Sequence, residues 1–166
     1  MTQFTAFLKS LPWKWILLGL AALGLFLFIW SEVRKSQNRK KYNEAVSEAQ
    51  ESINQLAQQG VKPSHGWAQY LGWANAMQQA LDGCGGGWST QEGIWSKMMN
   101  KADVYSLISA YGVKTIDKCG LGTGDFEGDL NASLAYKFSG VEGDVIQGSI
   151  DKINAILKDN GVDYTF

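Results

Sequence analysis

The chain is poor in residues that usually punctuate a fold or arm it for chemistry. It has two prolines, two cysteines and one histidine among 166 residues. With only Pro12 and Pro63 as helix breakers, the stretch between them is open to one long helix. A single histidine excludes zinc or catalytic sites built on a histidine cluster. His65 follows Pro63-Ser64, has no evident acid–base partner and reads as an exposed linker residue. Two cysteines and one histidine cannot complete a structural zinc site without carboxylates, so neither a metal nor any other cofactor is expected. Basic charge is not in excess either: 15 Lys+Arg face 16 Asp+Glu. Residues 61–166 hold 8 basic and 12 acidic side chains, a net of −4. Phosphate contact needs a basic face, so no nucleic-acid partner is expected for that part. The glycine-rich turn Gly83 to Gly87 lacks a following Gly-Lys-Ser/Thr and a preceding strand, and is not a phosphate loop.

What the chain does have is one uncharged apolar run, Trp15 to Trp30. It is apolar all round, unlike an amphipathic core helix. At ~1.5 Å per residue it spans roughly 24 Å, slightly short of a ~30 Å hydrocarbon core. Leu11 to Trp13 complete the span if Lys14 snorkels. Trp13, Trp15 and Trp30 stand where the headgroup layers would lie, as membrane-anchoring residues. A cleaved signal peptide is the rival reading, but Trp30-Ser-Glu-Val-Arg34 offers no small-residue cleavage site. Phe4, Phe7, Leu8 and Leu11 form a short stripe that suits either an interfacial segment or a frayed terminus. Arg34, Lys35, Arg39, Lys40 and Lys41 follow the span, against Lys9 and Lys14 before it. The charge bias places the C-terminal part on the cytoplasmic side. The five cations mark topology and also suit anionic headgroups, at about 1 kcal/mol each.

Three regions follow: a terminal segment and transmembrane helix over 1–31, a basic helical stalk over 32–60, and a domain over 61–166. Within the stalk, Tyr42, Val46, Ala49, Ile53 and Leu56 form a short seam at coiled-coil spacing. The seam suits either packing on the chain's own domain or a homo-oligomer contact. A helix from residue 12 to 59 would extend about 70 Å.

The domain reads as all-α, with no useful period-2 run. Ser64 is expected to cap a helix buried through Trp67, Tyr70, Leu71, Ala74, Met77 and Leu81. Ser89-Thr-Gln-Glu92 has capping-box spacing before a second helix carrying Ile94, Trp95 and Met98. Asn100 can cap a third, Ala102 to Tyr111, that Gly112 ends. A fourth is expected from Phe126 to Phe138 and a fifth from Ser139, stopped by Asn160-Gly161. Met77, Met98 and Met99 read as core filler.

These helices resemble one annexin repeat over about residues 68–160. The resemblance rests on Ala76-Met77, Leu81-Asp-Gly83, the glycine-rich turn before Ser89-Thr90-Gln91-Glu92, Ile94, Tyr111-Gly112, Gly128-Asp129-Leu130 and Leu134. The closing Val162-Asp-Tyr-Thr-Phe166 is similar to the tail of small annexin-like domains in marine and freshwater Bacteroidetes bacteria and their phages. The resemblance implies a five-helix bundle. It also implies a calcium site built from the first glycine-rich turn and an acidic side chain about forty residues later. That acidic position is Ser133 here, and the turn Gly83-Cys-Gly-Gly-Gly-Trp-Ser-Thr90 is about two residues too long, so calcium-dependent docking is not expected. The resemblance further puts Cys84 and Cys119 at one end of the bundle. A disulfide there would be worth up to ~3–4 kcal/mol, but a cytoplasmic location opposes it, and both states stay open.

Trp67, Trp73, Trp88 and Trp95 cluster within 29 residues. Trp73 falls off the expected buried stripe and Trp88 sits in a loop. They are candidates for a contact surface, or fold back over a small core. Glu92 could serve as a lone acid in a peptidoglycan-cleaving enzyme, but the capping role explains it more simply. The expectation is therefore a non-enzymatic, single-pass, membrane-anchored scaffold linking a bilayer to a layer of structural or capsid-type proteins. The phage-like resemblance suggests a virion with an internal membrane. The alternatives are a cell-envelope module binding peptidoglycan or protein, and a lytic enzyme.

Overall fold

The computed structural model describes residues 13–82, 87–117, 125–138 and 143–166. Among them are six helices and one small hairpin. The helices are α1 (Trp13–Gln58), α2 (Trp67–Leu81), α3 (Trp88–Trp95), α4 (Lys101–Tyr111), α5 (Leu130–Phe138) and α6 (Gly143–Asp159). Strands β1 (Lys114–Asp117) and β2 (Asp125–Gly128) pair antiparallel, with Ile116 opposite Phe126. The fold is thus all-α in its packing, with one helix long and apolar enough to cross a membrane.

Helix α1 runs uninterrupted for 46 residues, as the lack of internal proline allows. It stops at Gly60, whose φ of 83° is left-handed. There the Gly60 amide donates to Ala57 O at 3.1 Å and the Val61 amide to Leu56 O at 2.9 Å, the paired bonds of a Schellman cap. Helix α6 ends the same way: Gly161 (φ 72°) donates to Lys158 O and Val162 to Leu157 O. Val162 and Leu157 are both buried, which supplies the apolar contact that accompanies this cap.

The chain divides into two compact units, one up to Asn38 and one from Arg39 to Phe166. The second unit includes the stalk residues from Arg39 onward, and α1 ends near the expected domain boundary at residue 60. In the first unit the large apolar side chains from Leu17 to Val33 are all exposed, Leu25 and Phe28 at 64%.

The second unit has its own core. Helix α2 packs on α4 and α3, and α6 closes over α3 and α5. Tyr70, Met77, Leu81, Trp95, Met98, Leu107, Tyr111, Ile116, Leu130, Leu134, Ile153 and Leu157 are fully buried. Ala49 of the expected seam joins this core, and Tyr42, Val46, Ile53 and Leu56 are half-buried. Tyr42 meets Phe126 edge-on at 6.2 Å, and Phe126 stacks on Tyr136 at 4.2 Å. The seam is therefore used within the chain.

Several local expectations need correction. The fourth helix begins at Leu130, not Phe126, because Asp129 caps it: its Oδ1 accepts from the Ala132 amide at 2.7 Å, leaving 125–128 to pair as β2. Helix α2 starts after Gly66 with no side-chain cap, so Ser64 does not cap it. Helix α3 starts one residue before Ser89, on Gly87, so the Ser89–Glu92 box does not form. The face of α2 is also rotated from the expected stripe. Trp67 is 50% and Leu71 40% exposed, whereas Trp73 is buried. Met99 is exposed at 60%, unlike Met77 and Met98.

Candidate functional site

The densest polar construction in the described residues surrounds Asp103, at the start of α4. Asn100 caps that helix: its side chain accepts from the Asp103 amide, and Asp103 Oδ2 accepts from the Asn100 amide at 3.2 Å. This reciprocal box satisfies two helix-end donors at once. Asp103 does more than cap. Its Oδ2 accepts from the Met99 amide at 2.7 Å, and its Oδ1 accepts from the Ser64 amide at 2.6 Å and the Tyr70 hydroxyl at 2.5 Å. The carboxylate is fully buried, with four donors around two oxygens. No acceptor capacity is left over for a metal or a substrate.

The same knot fixes the loop between α1 and α2. Asn100 Nδ2 donates to Lys62 O at 3.2 Å and to Ser64 Oγ at 3.0 Å. The His65 amide donates to Tyr70 Oη at 3.2 Å. His65 is half-buried, not an exposed linker residue as its sequence context suggests. Its ring meets Trp73 edge-on at 4.9 Å and Tyr70 at 6.0 Å. Its Nε2 lies 3.1 Å from Lys97 O, and since a carbonyl only accepts, Nε2 carries the proton. Lys97 Nζ stands 5.4 Å from the centre of the Trp73 ring. Burial, with the bond to Asp103, raises the Tyr70 phenol well above its ordinary range.

Beside the knot lies a groove of about 280 Å³, lined by Gln50, Ile53, Pro63, His65, Trp67, Tyr70 and Ser106. No Asp, Glu, Lys or Arg side chain lines it. Trp67 forms one of its walls and is the exposed indole of α2. The structure thus exchanges the roles expected of two tryptophans. Trp73 is core, and Trp67 is the surface aromatic. Trp88 is half-buried, with Lys152 Nζ 5.3 Å from its ring centre.

The other expected positions separate. Arg39 pairs with Glu127 Oε1 at 2.6 Å through Nη2, and Lys35 with Glu32 at 3.3 Å. Arg34, Lys40 and Lys41 make no ion pair among the described residues and are exposed. Trp30 is 57% exposed, while the side chains of Trp13 and Trp15 lie outside those described. Cys84 and Cys119 also lie outside the described residues. Ser133, at the annexin acidic position, is fully buried, with its Oγ 3.5 Å from Gly128 O. Glu92 is exposed on α3. Among the described residues no three His, Cys, Asp or Glu side chains converge on a common point.

Sequence reasoning found Asn100 as a cap but missed Asp103. The signal was present, because Asn100-Lys-Ala-Asp103 has capping-box spacing. No family model matches the chain, and neither a curated protein nor a solved structure matches it.

Proposed function

We propose that the chain is a single-pass membrane protein whose second unit works as a structural, non-enzymatic scaffold at the bilayer surface. The observation that carries this reading is the helical run from Leu17 to Trp30, uncharged, apolar all round and exposed among the described residues. Leaving a Leu or Phe side chain in water costs about 1.5–3 kcal/mol relative to burial. A run of such residues needs lipid around it. The cations after Trp30 support placing residues 39–166 on the cytoplasmic side, or between capsid and membrane in a virion. The annexin-like reading rests on the sequence resemblance over about residues 68–160, and the buried Ser133 hydroxyl argues against calcium within it.

Carbonate washing of membranes carrying the full chain tests the anchor. The protein is expected to stay in the pellet with an intact mass that includes residues 1–31. Release into the supernatant, or a mass lacking that segment, overturns the reading. Proteinase protection on sealed vesicles fixes the side, and purified particles or their absence decides the virion setting.

A second reading has one specific observation in its favour: the groove beside exposed Trp67. It suits a module that holds a cell-envelope polymer or a protein. Sedimentation with purified cell-wall sacculi, lost in Trp67→Ala, would favour it over a scaffold without such a ligand. Cell-wall clearing abolished by Glu92→Gln would instead favour the lytic enzyme.

A further inference from the structure

Within the first unit, one face of α1 changes character over three turns. Leu27, Trp30, Ser31, Arg34, Lys35 and Asn38 line a shallow groove of about 320 Å³. Their spacing of three and four residues puts them on a single side of the helix. The groove begins in apolar side chains, Leu27 at 53% and Trp30 at 57% exposed. It passes an indole suited to the interface between hydrocarbon and headgroups. It ends in a guanidinium, an ammonium and an amide. That order, from greasy to indole to cationic, is the order met along one phospholipid from its acyl chain to its phosphate.

We propose that this face is a binding site for one anionic glycerophospholipid, with the acyl chain along Leu27 and Trp30 and the phosphodiester at Arg34. The inference rests on the membrane reading above and adds the ligand class and the residues that hold it. Arg34 is the group that matters most. A guanidinium presents a planar fork of donors that matches a phosphate bidentately. Among the described residues Arg34 has no ion pair, whereas Lys35 is drawn to Glu32 at 3.3 Å. Ser31 Oγ donates to Phe28 O at 2.8 Å, so its proton is already used within the helix. Asn38 supplies a neutral donor one turn beyond Arg34. The other cations after the span do not line this groove, and Arg39 is already engaged by Glu127. The assignment is therefore to two cations out of five and not to the basic cluster as a whole.

The test uses the full chain in vesicles of phosphatidylcholine and phosphatidylglycerol in equal amounts. Flotation first establishes whether the protein is in the vesicles. If it is not, the membrane reading fails and this inference falls with it. With the protein incorporated, spin-labelled lipids report the relative association of phosphatidylglycerol over phosphatidylcholine at the protein surface. The wild type is expected to prefer phosphatidylglycerol. Arg34→Gln is expected to lower that preference about fivefold, the effect of one cation at an anionic surface, and Lys35→Gln to lower it less. Lys40→Gln removes the same charge outside the groove and is expected to lower the preference clearly less than Arg34→Gln. Equal loss in Lys40→Gln and Arg34→Gln would mean diffuse charge attraction and would overturn the site. Absence of any preference in the incorporated wild type would also overturn it, with the anchor intact. Inorganic phosphate, matched in ionic strength to a chloride control, is expected not to displace the labelled lipid. Displacement would assign the groove to a free anion and overturn the lipid claim.

Discussion

The Tyr70 hydroxyl donates to Asp103 Oδ1 over 2.5 Å, joining the first turn of α2 to the first turn of α4 inside the protein. Both residues are buried, and the same carboxylate oxygen also holds the Ser64 amide. One acid thus carries the loop, two helices and a phenol.

Asp103→Ala leaves the Tyr70 hydroxyl unpaired in the interior and takes the carboxylate partner from the part-buried Ser64, Met99 and Asn100 amides. A buried unsatisfied donor costs about 1–3 kcal/mol, so the variant is expected to lose about 3–5 kcal/mol. Tyr70→Phe removes one donor and is expected to cost about 1–2 kcal/mol. Urea unfolding of the full chain in micelles, followed by near-ultraviolet dichroism, measures both. Equal costs would show that the amide bonds to Asp103 carry little.

Stability should fall in strong alkali. Burial pushes the Tyr111 phenol up to about 12, and the Tyr70 phenol rises as well, through burial and its bond to Asp103. A phenol that binds its proton more tightly folded than unfolded stabilises the fold fully below its unfolded pKa, near 10. That contribution is lost as pH climbs from about 10 through the raised folded value. Titration of phenolate absorbance is expected to show Tyr70 and Tyr111 ionising late and together with unfolding. Assignment comes from the loss of late amplitude in Tyr70→Phe and Tyr111→Phe. Early ionisation of both would contradict their burial.

The two neighbouring tryptophans should behave oppositely. Trp73→Ala empties a core position between His65 and Tyr70, and is expected to cost about 3–5 kcal/mol. Trp67→Ala removes an exposed ring and should stay within about 0.5 kcal/mol. The same unfolding experiment checks this, and reversed costs would restore the stripe expected from the sequence.

Leu23 lies in the middle of the apolar part of α1 and is 58% exposed. An arginine at the centre of a membrane span costs about 2.5–3.5 kcal/mol. Leu23→Arg is therefore expected to reduce the carbonate-resistant fraction, while Glu48→Arg in the stalk leaves it unchanged. Equal retention of both would mean that lipid does not surround Leu23.

How much of this was legible in the sequence depends on how local each cause is. The long helix was legible because an uncharged run and the lack of proline are local facts. Helix α4 was legible from Asn100 and Gly112, and the stop of α6 from Asn160-Gly161, for the same reason. The hairpin was not. Each strand has four residues, and in Lys114-Thr-Ile-Asp117 only Ile116 is buried, too little for a period to register. Its neighbours include residues distant in sequence, such as Tyr42 set edge-on against Phe126. The rotation of α2 was also hidden. Trp67 and Leu71 fit the helical period as well as Trp73 does, and the choice among them follows from the His65 ring and the Lys97 side chain packing on Trp73. The burial of Asp103 was hidden because a cap looks the same in sequence whether water or a loop covers it.

The crowding around that one carboxylate also limits what inheritance can do here. A lineage that replaces Asp103 must change Tyr70 and re-route the Lys62–His65 backbone in the same step, or lose the fold on the way. Asn100, Asp103 and Tyr70 should therefore travel as a set through any relatives this chain has, while the exposed faces around them drift.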